Sequence, residues 1–145
     1  MTTLTAQTTQ VYSVFIRATP EQIWDAITQA EFTRQDFYGA SIDVRDGRRF
    51  CAIGDATWDE EVFEADPPRR LVHGWTAGYD PDLATEAESR VTWEIEPQDD
   101  GITRLTVVHD QLEGAPKTAE SVAGGWMYVL SGLKTLLETG KPLAG

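Results

Sequence analysis

A chain of 145 residues is the size of one domain and buries enough surface to fold without a disulfide or metal staple. With 41% hydrophobic and 25% charged residues it is neither disordered, collagen-like nor fibrous. Twelve Lys and Arg against 24 Asp and Glu leave a net charge of −12, a field that repels phosphate backbones and anionic membranes. Neither nucleic acid nor a membrane is therefore an expected partner. Cys51 is the only cysteine, so no internal disulfide forms. The start Met1-Thr2-Thr3-Leu4-Thr5-Ala6 lacks the basic and apolar parts of a signal peptide, and no apolar run is long enough to span a bilayer. Together these predict a cytoplasmic, soluble protein.

The first ten residues are rich in Thr and Gln and read as a frayed end. Tyr12, Val14 and Ile16 then alternate with Val11, Ser13 and Arg17, which predicts a strand. Phe15 falls on the outer face, so that face is expected to be partly covered. Thr19-Pro20-Glu21-Gln22 is a helix start. Thr19 can accept from first-turn amides, Pro20 suits the first helical position, and the acid suits the dipole. Ile23, Trp24 and Ile27 continue at helical spacing. A second short helix is expected over about 31–37.

From residue 40 the period becomes two. It predicts strands at 40–45, 48–54, 57–65, 70–77, 89–97 and 102–110. Asp46-Gly47 and Asp100-Gly101 are hairpin dipeptides that tolerate positive φ. Asp66-Pro67-Pro68 ends a strand, since proline has no place in a central ladder. The stretch 78–88 reads as a long loop carrying Asp80, Asp82, Glu86 and Glu88. Its length predicts a mobile lid or binding loop beside a pocket mouth, with a solvated loop of no role as the alternative, and its acids would disfavour anionic ligands there. The last element is a helix over about 118–139, stopped by Gly140 with Pro142 beyond. Val122, Trp126, Val129, Leu133 and Leu136 make one apolar stripe along it. Gly124-Gly125 inside this helix is expected to allow close approach of the sheet or to kink the first turns.

The fold class that follows is α+β. A seven-stranded antiparallel sheet curls around the long C-terminal helix, with two short helices after the first strand. This order resembles the helix-grip fold of the SRPBCC superfamily, which includes START and birch-pollen-allergen-like proteins. The resemblance covers about 11–143 and implies a single domain over 1–145. Within the superfamily the chain is similar to homologues of the activator of the heat-shock-ninety ATPase. The matching stretches run from Val14 to Trp24, Glu64 to Val72, Val91 to Pro97 and Ser121 to Leu143, the last with Gly125-Trp126 and the run from Leu133 to Gly140.

The resemblance implies a cavity between sheet and long helix. Strand phase places Leu71, His73 and Trp75 on one face, Val91, Trp93 and Ile95 on the next, and Leu105, Val107 and His109 on a third. With Phe50, Trp58, Trp126 and Met127 these predict an aromatic-rich interior holding two imidazoles, suited to a small planar or lipid-like ligand. The expected ligand contacts are Phe50, Trp58, His73, Trp75, Trp93, His109, Trp126 and Met127. His73 and His109 read either as polar anchors or bases, or as groups satisfied locally. Glu60 and Glu64 share a face with Trp58 and Val62. An inward Glu64 would have a raised pKa, while a charged edge strand is the alternative.

No catalytic signature accompanies this interior. GxSxG, GxGxxG and GxxxxGK[ST] are missing from the sequence, and two histidines with Cys51 lack metal-ligand spacing. No metal or cofactor is expected. The leading function is binding of an apolar, aromatic or lipid-like small molecule. A chaperone-partner domain and a cyclase- or hydrolase-type enzyme using His or Glu are the alternatives that the resemblance implies. A chaperone or a second copy of the chain are the macromolecular partners left open.

Overall fold

The computed structural model describes residues 8–143. Most of the Thr-rich start expected to fray lies outside the described residues. Seven antiparallel strands form one sheet: β1 (Gln10–Ile16), β2 (Ser41–Arg45), β3 (Arg48–Ile53), β4 (Ala56–Asp66), β5 (Arg70–Trp75), β6 (Ser89–Pro97) and β7 (Thr103–Asp110). Their order is β1-β7-β6-β5-β4-β3-β2, so each strand from β2 to β7 lies beside its sequence neighbour and β1 closes on β7. The helices are α1 (Pro20–Thr28), α2 (Ala30–Asp36) and α3 (Pro116–Thr139).

Local chemistry fixes the boundaries. Thr19 Oγ1 accepts from the Gln22 amide at 3.1 Å and Gln22 Oε1 accepts from the Thr19 amide at 2.8 Å, a reciprocal cap with Pro20 at the first position of α1. Both residues of Asp46-Gly47 and both of Asp100-Gly101 have positive φ, as two-residue hairpins require. The first hairpin sets the register of β2 on β3, pairing Val44 with Arg49 and Ile42 with Cys51. Gly140 ends α3 in the left-handed conformation, with its N–H on the Leu136 carbonyl.

The stripe of α3 lies against the concave face of the sheet. Val122, Trp126, Val129, Leu130 and Leu133 bury in one cluster with Leu71, Val91, Trp93, Ile95, Leu105 and Val107. α1 adds Ile23, Ala26 and Ile27 to this core. On β1 the alternation holds, but Phe15 is exposed on the outer face, so the expected cover is not found there among the described residues.

Two glycine expectations change. A Cβ at Gly124 would meet nothing within 4 Å, and one at Gly125 only the Tyr38 hydroxyl at 3.9 Å. The pair leaves open space and does not serve a close approach. The contact glycine of α3 is Gly132, where a Cβ would stand 3.2 Å from Cβ of Asp36.

The 78–88 loop is fastened rather than loose. It contains one 3-10 turn, Leu83–Thr85. Asp80 Oδ1 accepts from the amides of Asp82 and Leu83. Glu86 accepts from the amides of Lys117 and Thr118 and from the Thr118 hydroxyl at 2.7–3.0 Å. α3 has no side-chain cap of its own, so this loop carboxylate supplies it. The end of the loop is thus tied to the first turn of α3.

Candidate functional site

A concave space of about 340 Å³ lies between α3 and the β2–β5 half of the sheet. The α2–β2 connection contributes Phe37, Tyr38 and Ala40. β2 and β3 contribute Ile42, Arg49, Cys51 and Ile53, all on one phase because the Asp46-Gly47 hairpin sets it. Trp58 comes from β4, Trp75 from β5 and Tyr79 from the following loop. α3 adds Ser121, Val122, Gly125, Trp126 and Val129. Of the lining residues Tyr38 is 58% exposed and Tyr79 40%. Gly78 lets the indole of Trp58 lie against the loop, since a Cβ there would come within 2.4 Å of the ring.

Of the eight residues expected to contact a ligand, Trp58, Trp75 and Trp126 line this space. Trp93, His73 and His109 are buried behind it. Phe50 is corrected. It lies on the opposite phase of β3 from Arg49 and Cys51, with the Arg45 guanidinium 4.1 Å from its ring centroid. Met127 is also corrected, because it follows Trp126 by about 100° of helical turn and is 57% exposed.

The imidazoles form hydrogen-bonded pairs with the indoles. Trp93 Nε1 donates to His73 Nε2 at 3.0 Å, and His73 Nδ1 lies 2.7 Å from the Gly74 carbonyl. An indole N–H only donates, so Nε2 is the acceptor and the His73 proton sits on Nδ1. In His109 the roles are reversed. Trp126 Nε1 donates to Nδ1 at 3.0 Å, leaving Nε2 to donate to Ser89 Oγ at 2.8 Å. Both rings are neutral. Burial holds His73 well below the usual imidazole range, with Arg49 adding to the effect, and pushes His109 down to about 4. Neither has a free nitrogen facing the space, which favours the locally satisfied reading over a catalytic base.

Sequence reasoning missed the buried ion pair. Arg49 is 2% exposed and Glu60 1%. Arg49 Nη1 donates to Glu60 Oε1 at 2.6 Å. Glu60 Oε2 accepts from the Thr76 amide at 3.0 Å and from Trp58 Nε1 at 3.4 Å. Burial raises the Glu60 carboxyl, and Arg49 and the other donors oppose that. All three partners are donors, so the group is held as a carboxylate. The inward acid is therefore Glu60 and not Glu64. Between Val62 and Glu64 the register on β5 shifts, and this bulge turns Glu64 outward to Arg70. β4 is an interior strand, so the charged-edge alternative fails too. The readable signal was the phase of Arg49, Cys51 and Ile53 opposite Trp58 and Glu60 across one hairpin.

Cys51 is a buried thiol whose pKa burial pushes up to about 12, so it is no nucleophile. Among the described residues no group of three or more His, Cys, Asp or Glu is placed to hold a metal ion. Also among them, no helix is long and apolar enough to cross a membrane.

Three solved structures share the fold closely. The Aha1 dimer of Colwellia psychrerythraea superposes with a TM-score of 0.73 at 18% identity, over 93% of this chain and 99% of that one. PFC0360w, an HSP90 activator from Plasmodium falciparum, gives 0.72 at 21% identity, over 94% and 99%. CalU16 from Micromonospora echinospora gives 0.70 at 22% identity, over 94% and 77%. At these identities the likeness is one of fold. No curated protein matches the chain by sequence. The family model described as Activator of Hsp90 ATPase homolog 1-like protein matches residues 17–138, from the end of β1 almost to the end of α3, and the chain belongs to that family.

Proposed function

We propose that this protein binds a small, apolar, ring-containing molecule in the space between α3 and the β2–β5 half of the sheet. The observation that carries this reading is the wall itself. Three indoles and one buried guanidinium surround about 340 Å³, within the size range of small-molecule pockets. Binding is favoured over catalysis because both histidines are neutral and committed to indoles, and Glu60 is committed to Arg49. The test is a titration of intrinsic tryptophan fluorescence with naphthalene, on the wild type and on Gly125→Leu. A Cβ at Gly125 enters open space, so leucine fills the pocket without displacing backbone. Saturable binding in the wild type that is lost in a folded Gly125→Leu supports the reading. Equal binding by both proteins overturns it.

The family supports a second reading, a partner of a chaperone ATPase. A rise in the ATPase rate of a purified heat-shock-ninety chaperone on adding this protein would support it, and an unchanged rate would refute it.

A further inference from the structure

Nearly every polar group behind the aromatic wall has a partner. His73, His109, Trp93 and Trp126 satisfy one another with help from Gly74 and Ser89. Three unpartnered donors belong to this space. Nε and Nη2 of Arg49 and Nε1 of Trp75 are buried with no acceptor among the described residues. Arg49 and Trp75 both line the space, and the guanidinium carbon lies 5.4 Å from the Trp75 ring centroid. Burying a donor without an acceptor costs more than a made hydrogen bond returns, so this cluster is poised for an acceptor brought from outside.

Arg49 is already neutralised by Glu60 at 2.6 Å. A carboxylate entering beside this pair would carry an uncompensated charge into an aromatic enclosure. A neutral carbonyl oxygen accepts the same N–H groups without that cost. The geometry points to a neutral aromatic carbonyl compound as the ligand class, with its rings between Trp58, Trp75 and Trp126 and its oxygen held by Arg49 and Trp75. This inference rests on the proposal that the space binds a small ring-containing molecule at all.

The test compares three probes of one ring system by isothermal titration calorimetry: 2-acetylnaphthalene, 2-ethylnaphthalene and 2-naphthoate. The ketone is expected to bind about tenfold tighter than the hydrocarbon, the scale of one net hydrogen bond to a charged donor. It should also bind tighter than the carboxylate at neutral pH. In the paired variant Arg49→Met with Glu60→Met, which removes both charges together, the ketone's advantage should fall to within about twofold while the hydrocarbon still binds. Trp75→Phe keeps the ring, drops the indole N–H, and should cost only part of that advantage. Equal binding of ketone and hydrocarbon to the wild type overturns the inference and leaves the pocket standing. Tightest binding of naphthoate overturns the neutral class. A ketone advantage that persists in the folded paired variant removes Arg49 from recognition. Failure of all three probes overturns the pocket reading and this inference with it. If the paired variant does not fold, the wild-type comparison decides on its own.

Discussion

Asp36 closes α2 in a place where a carboxylate is out of position. It is 4% exposed and sits against Gly132 of α3, and among the described residues neither carboxyl oxygen has a partner beyond its own backbone amide. It also lies at a helix C-terminus, where the backbone carbonyls disfavour negative charge. Burial pushes its pKa from the ordinary 3.8 up to about 8, so at neutral pH the folded protein carries it as a neutral acid. The folded pKa lies above the unfolded one. The stability associated with this group is therefore complete below about pH 4 and is lost as pH rises through about 8. The two values are about four pH units apart, and each unit corresponds to ~1.4 kcal/mol, so the loss by pH 8 is on the order of 5 kcal/mol. That is a large share of the ~5–15 kcal/mol by which domains are stable. Asp36→Asn keeps the shape and removes the titration. Urea melts of both proteins at pH 5, 6.5 and 8 should show the variant gaining on the wild type at each step. Parallel stability curves for the two proteins over this range would mean that Asp36 is ionised in the fold, and the reasoning would be wrong.

Three further outcomes follow from the same packing. Trp126→Ala should cost about 3–5 kcal/mol in urea melts, because the indole is buried and holds His109 as well as filling the core; a loss below about 1 kcal/mol would contradict its burial. His109 has its pKa held down to about 4, so its contribution is present above about 6.5 and is lost as pH falls toward 4, by roughly 3 kcal/mol. His109→Gln should flatten that acid limb relative to the wild type, and an unchanged limb would show the ring to be charged or solvated in the fold. Gly78→Ala should displace the Trp58 indole and cost about 1–3 kcal/mol. Its fluorescence spectrum should shift to the red as Trp58 meets water, and an unshifted spectrum in a protein of unchanged stability would show that the loop yields instead.

The fold was legible because its signals are local and redundant. The Thr19-Pro20 start, the two Asp-Gly hairpins and the stripe from Val122 to Leu136 each state their own element, and the structure places all of them as read. The site was only partly legible. Trp58, Trp75 and Trp126 reach the space because strand and helix phase predict their direction. Phe50 misled because hydrophobicity argues inward, whereas the hairpin register places Arg49 inward and leaves Phe50 to cover itself with Arg45. An arginine is read as inward only when its acid is found, and Glu60 was masked by its acidic neighbours Asp59, Glu61 and Glu64 on the same strand. The bulge at residue 63 separated Glu60 from Glu64, and no residue type announces a bulge of that kind. The loop was legible only in part. Its length is visible in sequence, but the three bonds from Glu86 to α3 span some thirty residues and are visible only in space.

The opposed tautomers of His73 and His109 bear on how a guest would be received. Each ring fixes one indole by a directed bond rather than by contact alone, and Trp126 also packs edge-on against Trp93 at 5.4 Å. Trp126 is thus held in one orientation before anything arrives, with Trp93 bracing it from behind. A guest meeting such a surface gains little by reshaping it and loses little to ordering it. Under the binding proposed above, selection would work by outline: a molecule whose plane does not match the standing indole would be turned away, however greasy it is.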